Sequence, residues 1–211
     1  MELSAAILGI AVALTLGAMS PGPSFILVAR TSVAVSRRDG LAAAVGMGVG
    51  GVFFSVIALL GLLAVFTAVP LLHLTLKVLG GTYLLYLGYR IWQGARQPLA
   101  LDSTPAQGRP TRAWCSFVLG LITQVSNPKT AVVYASVFAS LLPNEAPPFV
   151  LVALPIMIFF IETIWYSVVA IALSAPSPRT HYLASKAWID RTAGTIMSLL
   201  GLKLIFETQQ P

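Results

Sequence analysis

Charge is scarce in this sequence, and nothing else limits its fold as much. Of 211 side chains only 13 are Lys or Arg and 7 are Asp or Glu, 9% in all, against roughly 25% in a soluble domain. A chain this poor in charge cannot cover its own surface with polar groups. With 57% hydrophobic residues and a mean hydropathy of +0.86, its solvent has to be largely hydrocarbon. Disorder is excluded by the same numbers, since it needs low hydrophobicity and high charge. About 20 apolar residues make one bilayer crossing, so the chain is expected to form a single all-α integral membrane unit over residues 1–211.

Several functions are excluded early. The formal net charge of +6 suggests nucleic acid, but such binding needs a basic stripe on a hydrated surface, and no such face exists here. The single cysteine, Cys115, rules out internal disulfides, CxxC chemistry and thiolate metal clusters. His73 and His181 belong to no HExxH pattern, so no metal or cofactor is expected. The chain opens on Glu2 rather than a basic region, and no small-residue cleavage site precedes Pro21. The first apolar segment is therefore expected to be an uncleaved span.

Charges and Pro/Gly clusters divide the chain into six apolar segments, at about residues 4–35, 41–67, 71–92, 114–142, 149–173 and 187–206. Segment 187–206 is the least apolar, because it contains Asp190, Arg191 and Lys203. The stretch 93–113, with Pro98, Asp102, Pro105, Gly108 and Pro110, reads as a cytoplasmic connector between a first repeat, 1–92, and a second, 114–211. Ten of the 13 basic residues lie on one side of the expected membrane: Arg30, Arg37, Arg38, Arg90, Arg96, Arg109, Arg112, Arg179, Lys186 and Arg191. Since retained cytoplasmic loops collect Lys and Arg, that side is inside and both termini are expected outside. Tyr83, Tyr86, Tyr89 and Trp92 fit an aromatic belt at the inner end of span 3, with Tyr83 the deepest. Three spans per half make the second half enter from the opposite side, so the expected architecture is two inverted three-helix repeats.

The two repeats share a feature. Span 1 contains Ser20-Pro21-Gly22-Pro23 and span 4 contains Ser126-Asn127-Pro128-Lys129. Proline inside a lipid-embedded helix is tolerated where the freed backbone groups are satisfied by protein or line a cavity. Ser20 before Pro21 and Asn127 before Pro128 each resemble an N-cap followed by proline at the first helical position. Spans 1 and 4 are thus expected to be broken helices, each restarting at mid-bilayer. Two half-helix N-termini present unpaired N–H groups and partial positive charge, suited to a carboxylate. Gly22 would let a ligand approach the backbone. The bland alternative is that these prolines only kink packed helices; paired breaks in inverted halves point instead to the binding site of a secondary transporter.

Lys129 and Glu162 sit near the middle of spans 4 and 5, where each charge costs roughly 2.5–3.5 kcal/mol on insertion scales. Two readings stay open. They form a structural ion pair, or Lys129 meets a substrate carboxylate while Glu162 meets an ammonium group or a coupling proton. Arg30 is a snorkelling residue or a gate. Gly46 and Gly50 make a small-xxx-small pair for close packing in the bundle or for a homodimer face. Gln124 and Trp165 either line the cavity or pack beside it.

These residues carry a resemblance to a known family. Met19-Ser-Pro-Gly-Pro-Ser-Phe25 followed by Ser36-Arg-Arg38, Gly81-Thr-Tyr-Leu-Leu-Tyr-Leu-Gly-Tyr89, Ser126-Asn-Pro-Lys129, Glu162-Thr163 and Trp188-Ile-Asp190 resemble the lysine-exporter (LysE/RhtB) family of amino-acid efflux proteins over nearly the whole length. The resemblance implies a bacterial inner-membrane protein that exports amino acids by proton antiport, with no enzymatic step. Relatives with these elements export threonine, homoserine, leucine or lysine, so the substrate is not implied. An intramembrane enzyme would need a nucleophile with its base or a metal triad, and no GxSxG or paired mid-span acids occur. A non-transporting scaffold would leave the mid-bilayer charges without purpose.

Overall fold

The computed structural model describes residues 3–68, 70–97, 113–143 and 146–207. Most of the expected connector, including Arg109 and Arg112, lies outside the described residues, as do Asn144, Glu145 and the side chains of Pro70, His73, Lys77, Arg179 and Lys203. Among the described residues the chain is all-helical. In order the helices are α1 (Leu3–Met19), α2 (Pro23–Ala34), α3 (Arg37–Ala68), α4 (Pro70–Gly94), α5 (Ala113–Val125), α6 (Pro128–Leu141), α7 (Val150–Ser174) and α8 (Pro176–Glu207).

Two of these helices are long and apolar enough to cross a membrane alone, at Arg37–Leu62 and Val150–Ser174. A third span results if α1 and α2, bent by 56° at their break, are taken together. The helix ends follow the local chemistry. Ala175 precedes a proline, which disfavours the α region, and it is extended at φ −116° and ψ 140°. That residue stops α7 and lets Pro176 open α8 in a first turn, where its missing N–H costs nothing. α8 therefore begins eleven residues before the expected 187, and Arg179 and Lys186 stand on a helix rather than in a loop. Pro155 lies inside α7 without ending it, so a proline alone does not suffice to break a span here.

α3 packs between α5 and α7, and α4 packs along α8. Glycine makes the first contact possible. A Cβ on Gly46 would lie 2.1 Å from the Phe117 carbonyl oxygen, and one on Gly50 2.6 Å from Gln124 Cβ. The Gly46/Gly50 pair therefore faces α5 inside the bundle. Two hydrophobic clusters form the core. One gathers Ile10, Leu14, Leu59, Leu84, Val133, Phe138, Leu154, Ile158 and Met197; the other gathers Phe25, Val28, Ala43, Met47, Tyr166, Val169 and Leu173. In the expected belt Tyr86, Tyr89 and Trp92 are exposed, whereas Tyr83 packs against the first cluster.

Candidate functional site

The break between α1 and α2 falls where two prolines alternate with a serine and a glycine. Gly22, rather than Ser20, caps α2, with φ −162° and ψ −172°, and Pro23 takes the first helical position. Each proline pushes the residue before it toward extended backbone, so the helix cannot restart until the second proline has passed. In a continuous helix the Gly17 carbonyl would accept from the N–H of residue 21, and proline has none. Lys129 supplies the missing donor: its Nζ donates to the Gly17 carbonyl at 3.1 Å and to the Ser20 carbonyl at 2.8 Å.

The second break is simpler. Asn127 caps α6 at φ −84° and ψ 106°, its side chain accepting from the Lys129 backbone N–H at 3.0 Å, and Pro128 takes the first position. The same asparagine reaches the first break, since Asn127 Nδ2 donates to Ser24 Oγ at 2.9 Å. Ser24 Oγ in turn donates to Gln124 Oε1 at 2.6 Å. Three buried side chains thus lock α2 to the α5–α6 break.

Between the two breaks lies a narrow cavity of about 20 Å³. It separates the two hydrophobic clusters: Leu14, Val133 and Tyr134 line it from one, Phe25 and Tyr166 from the other. Its polar lining includes Ser20, Ser24, Asn127, Lys129, Thr130 and Glu162. Glu162 on α7 is 3% exposed. Its Oε1 accepts from the Tyr134 hydroxyl at 2.8 Å; among the described residues its Oε2 lacks a hydrogen bond of good geometry, and the Gln124 side chain stands beside the carboxylate. Lys129 and Glu162 interact electrostatically across the cavity without a direct ion pair; among the described residues the salt bridge found is Lys186–Asp190.

The residues singled out in sequence divide into groups. Ser20, Gly22, Asn127, Lys129 and Glu162 meet at the cavity. Pro21, Pro23 and Pro128 shape the breaks without lining it, Ser126 is exposed, and Gln124 is buried behind Ser24. Arg30 is exposed on α2, outside the cavity. Trp165 packs against the second cluster. Among the described residues no group of three or more His, Cys, Asp or Glu forms a metal site.

Sequence reasoning missed Ser24, Thr130, Tyr134 and Tyr166 in the lining. Tyr166 had a signal, since it stands four residues after Glu162 and so shares its helix face. Tyr134 had none, because its partner lies 28 residues away on another helix.

The groups around this narrow cavity are complementary in kind to the two charged ends of a small zwitterion. A lysine ammonium has three donors, and two are bonded to the Gly17 and Ser20 carbonyls, leaving one for a carboxylate. The first-turn N–H groups of α2 have no intrahelical acceptor, and Ser24 and Phe25 in that turn line the cavity. The open Oε2 of Glu162 offers an acceptor for an ammonium group.

Known proteins share this sequence pattern. The family described as LysE type translocator matches residues 15–208. The threonine efflux protein of Escherichia coli K12 is 32% identical over 187 residues, covering 89% of this chain and 91% of the relative. That of Salmonella typhi is 30% identical over the same shares. The uncharacterized membrane protein YahN of E. coli K12 is 30% identical, covering 89% of this chain and 83% of its own length. No solved structure matches the chain significantly.

Proposed function

The chain belongs to the LysE type translocator family, a transporter rather than an enzyme, and from that premise we propose that it exports a neutral amino acid from the bacterial cytoplasm in exchange for protons. One observation carries this reading. Lys129, on the half-helix started by Asn127 and Pro128, bonds the carbonyls opened by the other break, with Glu162 across the same cavity. Threonine and homoserine are the first substrates to test, because two similar proteins are named threonine efflux proteins.

In this reading the substrate carboxylate lies at the α2 start and takes the third donor of Lys129, while Glu162 takes the ammonium group or the coupling proton. Tyr134 holds Glu162 in place from α6. The charges then balance: lysine and glutamate receive a neutral zwitterion, and the bound state adds no net charge at mid-bilayer, where charge is expensive.

The proposed topology is six spans, with α1–α2 and α5–α6 as broken spans, in two inverted repeats with both termini outside. Helix pairing supports it, since α3 packs on α7, α4 on α8, α1 on α6 and α2 on α5, the pairs an inverted two-fold would match. Alternating access would rock one repeat against the other around the fixed cavity.

The test is transport by purified protein in proteoliposomes carrying an imposed pH gradient. Labelled threonine or homoserine should move against its own gradient in response to the pH difference. No pH-dependent movement of threonine, homoserine or any other neutral amino acid would overturn the reading.

A further inference from the structure

α8 carries a second buried polar cluster that the transport reading leaves unused. Lys186 and Asp190 stand four residues apart and project from one helix face. They are 6% and 2% exposed. Lys186 Nζ donates to Asp190 Oδ2 at 2.6 Å and to the Gly94 carbonyl on α4 at 3.1 Å. The same face continues through buried Ala193 and Met197. Met197 reaches α1 beside the break, where a Cβ on Gly17 would lie 3.3 Å from its terminal methyl.

Among the described residues two polar atoms of this cluster are buried without a hydrogen-bond partner: Asp190 Oδ1 and the Tyr182 hydroxyl. Tyr182 stands two turns before Asp190 on α8, and the two interact electrostatically. Its ring stacks on Phe25 with centroids 5.5 Å apart, and Phe25 lines the Lys129 cavity. The Phe25–Tyr182 stack is therefore a partition between that cavity and the α8 cluster. Across it, Asp190 and Lys129 interact electrostatically.

Burying an ion pair costs several kcal/mol per ion before attraction offsets it, and buried polar atoms are normally all bonded. The open carboxylate oxygen of Asp190 departs from that rule. The open atoms also select a ligand. A carboxylate oxygen and a phenol oxygen both accept hydrogen bonds, which suits a primary ammonium. Acceptor character, rather than net charge, makes the selection, since Lys186 and Asp190 neutralise each other and the Lys186 donors are turned to Asp190 and Gly94. Resting on the export reading above, we propose that Asp190 and Tyr182 form an inner ammonium site, which holds the amino group of the substrate before its carboxylate reaches Lys129.

Orientation-sorted proteoliposomes test this. Labelled threonine is presented to the inner or the outer face of the wild type, Asp190→Asn and Tyr182→Phe, with and without 1-amino-2-propanol, the amine of threonine lacking its carboxylate. In the wild type the amine should compete at the inner face. Both variants should raise the inner-face KM about tenfold more than the outer-face KM, the loss expected for one charge-assisted hydrogen bond, and should lose that competition. Equal changes at both faces, or unchanged KM and competition, would overturn the ammonium site alone. A wild type that moves no amino acid would overturn the export reading and the site with it. If Asp190→Asn does not reach the membrane, Tyr182→Phe decides, because it removes one hydroxyl and keeps the ring on Phe25.

Discussion

Lys129 Nζ lies 2.8 Å from the carbonyl oxygen of Ser20, 109 residues earlier in the chain. Through this contact the second break repairs the first: α6 carries the ammonium, which bonds the Gly17 carbonyl that Pro21 leaves without a donor and the Ser20 carbonyl at the break. An open carbonyl in lipid costs several kcal/mol, and an ammonium without acceptors costs more. Each group offsets the burial of the other, and the third lysine donor stays available to a ligand.

Lys129→Met keeps the length and apolar stem of the side chain but removes the ammonium. It should lower transport on the order of a hundredfold, as expected for losing a buried charged contact of about 3 kcal/mol. Thermal unfolding in detergent should also shift down, because the Gly17 and Ser20 carbonyls lose their donor. Efflux rates normalised to membrane-inserted protein check the first effect. Full activity in this variant would reassign Lys129 to structure.

Gly22→Ala separates binding from folding. The backbone at Gly22 is extended, with φ −162°, so alanine fits without strain. The added Cβ would lie 3.5 Å from Lys129 Cδ and 3.6 Å from Nζ, within the space proposed for the carboxylate. Insertion and melting temperature should stay at wild-type values while KM rises several-fold, and Gly22→Val should exaggerate the KM effect.

Tyr134→Phe removes the donor to Glu162 Oε1 and leaves the carboxylate to the weaker support of Lys129 and Gln124. A hydrogen bond to a charged group contributes about 1.5–3 kcal/mol. Transport should fall by roughly tenfold or more on that figure, and expression should be preserved. Glu162→Gln tests the charge itself: an imposed pH gradient should no longer drive efflux.

Gly46→Ala and Gly61→Ala form a matched pair on α3. At Gly46 the new Cβ would lie 2.1 Å from the Phe117 carbonyl oxygen, and because that atom is backbone, α3 and α5 must separate. Overpacking of this kind costs about 1–3 kcal/mol. At Gly61 nothing lies within 4 Å, so alanine should be neutral or stabilising by up to about 1 kcal/mol through helix propensity. Melting curves of the two purified variants check the difference.

Topology is tested by reporter fusions. A reporter after Arg38, before the long run of α3, should report the cytoplasm, and one at Pro211 should report the outside. A cytoplasmic signal at Pro211 would mean that α8 does not cross.

Much of the helix layout was legible because it rests on local chemistry. Apolar runs and prolines mark the helices, and Asn127-Pro128 declares its own cap because the capping atom sits two residues from the N–H it serves. Ser20-Pro21 taken alone looks like a helix start, but the second proline disfavours the α region at Gly22 and moves the start of α2 two residues on, to Gly22-Pro23. The early start of α8 was hidden by its charges, which look like a loop in a scale built on hydropathy. Tyr134 with Glu162, and Ser24 with Gln124 and Asn127, could not be read at all, because their partners lie 28, 100 and 103 residues apart.

The sequence by itself determined where this chain lives and where it cannot be regular. Twenty charged side chains in 211 require a hydrocarbon solvent, and Ser20-Pro21-Gly22-Pro23 and Asn127-Pro128 mark where the helices open. Which groups close those openings was decided only by tertiary structure. Sequence placed Lys129 and Glu162 at similar depth and left open a direct ion pair. Packing of α6 against α1 gave Lys129 two carbonyls instead, and α6 also gave Glu162 a tyrosine hydroxyl. A buried charge takes whichever partners the packed helices bring within about 3 Å, and that choice exists only once the chain is folded.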